Sequence, residues 1–328
     1  MPSPTSSLPA GPNTLAVASA TGPATRAAVG AAIASLAPSR WEGYGYGLIG
    51  VLIFSLTLPM SRIAVAELHP LLVGLGRALA AAVPAILMLW LTRSRRPTRK
   101  EWRAVILAAL GVVLGWPLAS TLAMRTVPSA HGAVINGLLP LCTAAFAALG
   151  TGERPSGRFW LWALAGAALV VGFALREGGG TPQPGDLWLL LAVLLGGMGY
   201  AQGAQAARTL GGWRTICWAL AISAPFIAVP VGWLAWQAPA APTPMAWLAL
   251  GYLAFFSMFI GFFAWYRGLA QGGIAKVGQV QLLQPFLTVV AAALFFQEAV
   301  PPSTLICALA VIAVIAAGRR AAVRGARP

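Results

Sequence analysis

Apolar residues fill most of this chain in blocks of about twenty, separated by short segments that hold the turn formers and most of the charge. A helix rises about 1.5 Å per residue and the hydrocarbon layer is roughly 30 Å thick, so each block is long enough to cross a bilayer. Such blocks lie near residues 44–66, 70–91, 104–124, 129–150, 159–175, 187–207, 215–236, 245–266, 277–297 and 303–318. His69-Pro70, Arg96-Pro97, Gly178-Gly-Gly-Thr-Pro182 and Pro239 to Pro244 punctuate them, and helices stop readily at such residues. The expected fold is an all-α membrane protein of ten transmembrane helices. Residues 1–40 are rich in Pro, Ala, Ser, Thr and Gly and hold too few large apolar side chains to offset ordering entropy, which predicts a disordered tail. Residues 319–328 form a short basic tail.

Composition agrees with a membrane location. Hydrophobic residues make up 59% of the chain, charged residues 9%, and the mean hydropathy is +0.78; a soluble domain carries about a quarter charged residues. The net charge of +15 would point to nucleic acid in a soluble protein. Here the basic residues cluster at the ends of apolar blocks and report orientation instead. With the N-terminus in the cytoplasm, eighteen Lys and Arg residues fall in cytoplasmic segments, among them Arg93, Arg95, Arg96, Arg99, Lys100 and Arg103. Only Arg125 and Arg176 fall outside, and Arg62 and Arg77 lie within spans. By the positive-inside rule both termini are cytoplasmic, in a bacterial inner membrane. Cys142, Cys217 and Cys307 lie within apolar blocks without metal-ligand spacing, so neither a disulfide framework nor a metal site is expected.

Two stretches correspond in register. Displacing the first by 145 residues places His131 on Lys276, Asn136 on Gln281, Pro140 on Pro285, Thr143 on Thr288 and Glu153 on Glu298. They occupy the fourth and ninth spans, which divides the chain into five-helix repeats over residues 41–175 and 176–318. Five is odd, so the two halves would cross the bilayer in opposite senses. Carriers built from inverted repeats hold substrate near the midplane where the halves meet, and this predicts a central cavity.

The polar residues of the fourth and ninth spans are the first candidates to line it: Asn136, Gln281, Gln284 and Gln279. An amide in hydrocarbon needs a partner or a cavity. Pro140 and Pro285 remove backbone donors, so each is expected to kink its helix as a hinge and to free the carbonyls of Asn136 and Gln281. The sixth span adds Tyr200 and Gln202, and its counterpart in the first contains Phe54-Ser55-Leu-Thr57-Leu-Pro59, of which Ser55 and Thr57 are the candidates. Trp116 and Trp265 lie deeper than the tryptophans of the interfacial belts and could stack on a flat or cationic solute. Arg77, well inside the second span, would attract a carboxylate or pair with Glu67. His131, which can titrate near neutral pH, and Lys276 are candidate coupling residues.

At these residues the chain resembles the drug/metabolite transporter superfamily and, within it, the EamA-type exporters. The resemblance covers residues 44–318: ten spans, two halves, and in each half a fourth helix with a proline at its middle and a glutamate near its end. It implies a carrier that exports small metabolites by alternating access, and overall similarity points to YddG-like amino-acid exporters favouring aromatic or apolar amino acids. The implied partners are a small-molecule substrate and the lipid bilayer, with no cofactor and a monomeric or homodimeric state. A lipid or lipid-linked-sugar translocator is the alternative on the same fold. An intramembrane enzyme is disfavoured, since Asp186 is the sole aspartate and no His-Glu-x-x-His or Gly-x-Ser-x-Gly element occurs. No Gly-x-x-x-x-Gly-Lys element occurs to bind ATP.

Overall fold

The computed structural model describes residues 40–127, 132, 135–178, 184–237, 242–296 and 302–324. Residues 1–39 of the predicted N-terminal tail, His131 and Glu298 lie outside these residues, and Arg40, the last residue of that tail, starts the first helix. Helix α1 comprises Arg40–Ser55 and Thr57–Glu67, α2 Pro70–Leu91, α3 Arg99–Ala123, α4 Leu139–Gly150 and α5 Gly157–Gly178. They are followed by α6 Gly185–Leu210, α7 Gly212–Trp236, α8 Pro244–Gly272, α9 Ile274–Phe296 in three segments, and α10 Pro302–Arg319. Six of these, α1, α2, α3, α6, α7 and α8, are long and apolar enough to cross a membrane. Large apolar side chains such as Leu52, Val83, Leu87, Phe226 and Val229 are exposed on the outside of the bundle, as a lipid-facing surface requires and a water-facing one rarely tolerates.

Local chemistry sets the helix ends. His69 Nδ1 accepts the backbone N–H of Leu71 at the start of α2, with Pro70 in the first turn. Thr98 and Glu101 form a reciprocal capping box on α3. Gly211 (φ +87°) and Gly273 (φ +94°) turn α6 into α7 and α8 into α9, in a backbone region that favours glycine.

Helix α1 packs on α8, and α6 packs on α3. Helices α2 and α7 pair, as do α5 and α10, while α4 lies against α6 and α9 against both α1 and α4. Glycines bring backbones together in the first two contacts: an added Cβ at Gly43 would lie 2.6 Å from Gly272 N, and one at Gly199 would lie 3.1 Å from Gly111 Cα. Each of α3 and α8 widens into π-type turns at its middle, over Ala109–Gly115 and Tyr252–Ile260. Adding 145 to the first of these ranges lands within the second.

The two prolines act differently from expectation. Neither kinks a continuous α-helix. The chain breaks just ahead of each: a turn at 137–138 precedes Leu139–Gly150, and a 3₁₀ segment, Gln279–Leu283, precedes Gln284–Phe296. Pro140 and Pro285 sit in the first turn of the helix that follows, where a missing N–H costs nothing. The Gln281 carbonyl is consequently not freed, because it accepts the N–H of Gln284 in the tight turn.

At one end of the bundle, two carboxylates grip adjacent residues at the end of α6. Glu101 receives Arg95 Nη2 at 2.7 Å and Thr209 Oγ1 at 2.6 Å. Glu153, just past α4 and buried, receives Arg208 Nη2 at 2.6 Å and the backbone N–H groups of Ile274 and Ala275 at 2.9 Å each. At the same end the C-terminal tail is docked, with Val323–Arg324 paired antiparallel to Arg154–Pro155.

Candidate functional site

A cavity lies among α1, α2, α3, α6, α8, α9 and the residues just ahead of α4, lined among the described residues by Phe54, Thr57, Arg77, Val112, Trp116, Asn136, Tyr200, Ser257, Met258, Phe262, Gln281 and Gln284. Its position follows from irregular backbone. Val112 lies in the π-type turns of α3 and Ser257 and Met258 in those of α8, where the extra residue per turn displaces side chains from the faces a regular α-helix would give them. Helix α1 is interrupted at Leu56. Pro59, four residues after Ser55, has no N–H to offer the Ser55 carbonyl. Thr288 Oγ1 donates to that carbonyl instead, at 2.7 Å. The neighbouring carbonyls are also capped from outside the helix: Gln284 Nε2 donates to Phe54 O at 3.2 Å, and Tyr252 Oη to Ile53 O at 2.7 Å. Helices α8 and α9 thereby supply the hydrogen bonds that the break in α1 removes.

The cavity has an aromatic wall and a polar wall. Phe54 stacks on Tyr200 with ring centroids 6.4 Å apart, and Phe262 lies 5.1 Å from Phe54 and 6.0 Å from Tyr200. On the polar wall, Gln281 Nε2 donates to Gln284 Oε1 at 3.1 Å and to Tyr200 Oη at 3.5 Å. Trp116 Nε1 donates to Asn136 Oδ1 at 3.4 Å, and Gly196 leaves room for the indole, since a Cβ there would fall 2.7 Å from Trp116 Cδ1. Thr57 and Ser257 share a hydroxyl hydrogen bond of 2.9 Å between α1 and α8. Arg77 is completely buried, its guanidinium 5.4 Å from the centre of the Trp116 ring, and none of its three nitrogens has a hydrogen-bond partner among the described residues.

The chain matches the EamA-like transporter family twice, over residues 41–175 and 183–317. It belongs to that family. It is 45% identical over 285 residues to the Bacillus subtilis (strain 168) protein named uncharacterized transporter YdeK, in an alignment spanning 85% of this chain and 97% of that one. A solved crystal structure, at 20% identity, superposes with a TM-score of 0.68 over 85% of this chain and 96% of that one, and shares the fold. The EamA chain is thus an all-α, multi-pass integral membrane transporter, and both family and relative point away from an enzyme.

The structure brings seven of the sequence-predicted residues of this EamA protein to one cavity: Thr57, Arg77, Trp116, Asn136, Tyr200, Gln281 and Gln284. The remaining candidates lie elsewhere. Ser55 Oγ is turned onto its own helix, bonding Leu52 O at 2.7 Å, as serines in helices often do. Trp265 is wholly buried behind the aromatic wall, 5.3 Å from Tyr200 and 6.0 Å from Phe54. Gln202, two residues past Tyr200 and so on another face of α6, lies against the end of α4, where a Cβ on Gly150 would meet its Nε2 at 2.6 Å. Gln279 and Lys276 line a second cavity with Tyr44, Phe159, Trp162 and Leu282. The Glu67 alternative for Arg77 also fails: the Glu67 carboxylate accepts Thr243 N and Thr243 Oγ1 at 2.7 Å each, at the start of α8.

Several lining residues were missed by the sequence reading. Phe54, Val112, Met258 and Phe262 are apolar residues in apolar spans, and nothing in their spacing separates a cavity wall from a core. Ser257, the one hydroxyl within Tyr252–Ile260 apart from the tyrosine, was the available signal.

Proposed function

We propose that this protein is a secondary transporter that exports small metabolites, with aromatic or apolar amino acids as the favoured substrates, by alternating access between two inverted five-helix halves. The observation that carries this reading is the cavity, which draws its lining from both family-matched segments and is lined by both Asn136 and its sequence counterpart Gln281.

The packing supports two related halves. Exchanging each helix for its counterpart in the other half converts the α1–α8 contact into α6–α3 and the α4–α6 contact into α9–α1, and leaves α2–α7 and α5–α10 unchanged; all of these contacts occur. The π-type turns of α3 and α8 are likewise exchanged. Inverted repeats of this kind can trade conformations, so that one arrangement opens the cavity to one side and its mirror opens it to the other. The cytoplasmic placement of both termini comes from the distribution of Lys and Arg, and outward transport from kinship with EamA-type exporters.

Counterflow of labelled amino acids into proteoliposomes tests the reading. Saturable, unlabelled-substrate-driven uptake is expected, and the substitutions Gln281→Ala and Asn136→Ala should slow it without preventing membrane insertion. Normal rates in both variants would mean that the cavity is not the transport site. Movement of fluorescent lipid between leaflets without amino-acid counterflow would favour a lipid translocator.

A further inference from the structure

Arg77 lies about 10 Å along α2 from its first residue and about 20 Å from its last, at 1.5 Å per residue. A guanidinium taken out of water is strongly disfavoured unless an anion and hydrogen-bond acceptors meet it. Here its three nitrogens have no acceptor among the described residues, and its guanidinium lies beside the Trp116 ring, which offers a face but no lone pair. The other described side chains lining the cavity are apolar, aromatic, hydroxyl-bearing or amide-bearing, and none of them is acidic. The negative charge that Arg77 requires is therefore not supplied by the described part of the cavity wall.

A second unmatched group lies on the same wall. Gln281 is buried, and its Nε2 is committed to Tyr200 and Gln284 while its Oε1 has no donor among the described residues. The cavity thus presents a cation that lacks acceptors and an acceptor that lacks a donor, between walls of Phe54, Met258 and Phe262.

We infer that the substrate is a carboxylic acid whose carboxylate is held by Arg77 and whose own N–H or O–H group donates to Gln281 Oε1. This rests on the carrier reading above and specifies what its central cavity selects. A guanidinium fork matches the two oxygens of a carboxylate. Among the described lining residues Arg77 is the one cation, which suits a single negative charge better than a phosphate dianion. An α-amino acid or a 2-hydroxy acid with an apolar side chain meets all three requirements: anion, donor and apolar body. An organic cation meets the wrong charge at Arg77.

Thermal unfolding of the purified protein, measured with apolar and aromatic L-amino acids and with their carboxamides, tests this assignment. L-phenylalanine is compared with L-phenylalaninamide, L-leucine with L-leucinamide, and 3-phenyllactate with 3-phenylpropionate. At least one acid of the set is expected to raise the unfolding midpoint while its amide does not, and 3-phenyllactate should bind more tightly than 3-phenylpropionate. Arg77→Gln should weaken acid binding by about 100-fold. Arg77→Lys, which keeps the charge but loses the fork, should fall between. Because an unpaired buried charge destabilises its host, ligand-free Arg77→Met should unfold at a higher temperature than the parent, a change that a structural role for Arg77 would reverse. The assignment is overturned if no acid stabilises the protein, if amides do so equally, or if acid binding survives Arg77→Gln. Counterflow of a cationic or uncharged solute would overturn it while leaving the carrier reading standing. Acid binding without counterflow of any solute would instead retain the site and remove the carrier.

Discussion

Replacing Glu153 by glutamine isolates a single electrostatic contact between the two family-matched segments. The carboxylate accepts the N–H groups of Ile274 and Ala275, one on each oxygen, together with Arg208 Nη2, and its side chain is 3% exposed. Glutamine keeps the shape but turns one oxygen into an NH₂ that faces a backbone donor, so one of the two backbone bonds is lost outright. The ion pair with Arg208 becomes at best a neutral hydrogen bond. Hydrogen bonds to charged groups contribute about 1.5–3 kcal/mol each. Arg208 is itself 31% exposed, which screens its share. The total falls at about 2–4 kcal/mol, or about 30- to 700-fold in an opening equilibrium at 1.4 kcal/mol per tenfold. Hydrogen–deuterium exchange of the peptide spanning Ile274–Gly278, in detergent or nanodiscs, reads that equilibrium directly. Exchange there should accelerate by this factor, while peptides from the α2–α7 contact change little. Arg208→Gln should show the same effect with a smaller amplitude. A rise of less than about threefold in Glu153→Gln, with the core peptides still protected, would refute the claim that Glu153 holds the start of α9.

Two further outcomes follow from the packing and the charge pattern. Gly268→Ala would place a Cβ 2.7 Å from Gly47 N and 2.8 Å from Gly43 O, both backbone atoms of α1, so α1 and α8 must separate at a cost of about 1–3 kcal/mol. Its unfolding midpoint should fall below that of Gly45→Ala, where an added Cβ meets nothing within 4 Å, and equal midpoints would contradict the close approach. A periplasm-dependent phosphatase reporter should be active when fused after Gly178 and inactive when fused after Arg320, whereas activity at Arg320 would reverse the proposed orientation.

Apolar block length and the placement of arginine and lysine were enough to read a membrane protein and the approximate extent of its helices. These are one-dimensional quantities, set by the thickness of the solvent each segment must cross. The block near 70–91 and the helix Pro70–Leu91 coincide, because Pro70 and the polar run after Leu91 mark both ends locally. The repeat was legible for the same reason: Asn136 and Gln281, or Pro140 and Pro285, are matched by register alone. The sequence also singled out Arg77, since a charge well inside an apolar block is conspicuous wherever its side chain points. Only the tertiary structure decided what each polar side chain does. Gln281 reaches Tyr200 while Gln279, two residues earlier, faces a different cavity, a distinction that depends on the 3₁₀ turns of α9 and not on an ideal helical period. Ser55 and Thr57 looked alike as hydroxyls in one span, yet the first bonds its own helix and the second crosses to Ser257. The break at Leu56 and the π-type turns re-aim neighbouring side chains by fractions of a turn. Such breaks persist because other helices take up the unpaired backbone groups, as Thr288 does for Ser55. A donor more than two hundred residues away is set by packing, and no local pattern announces it.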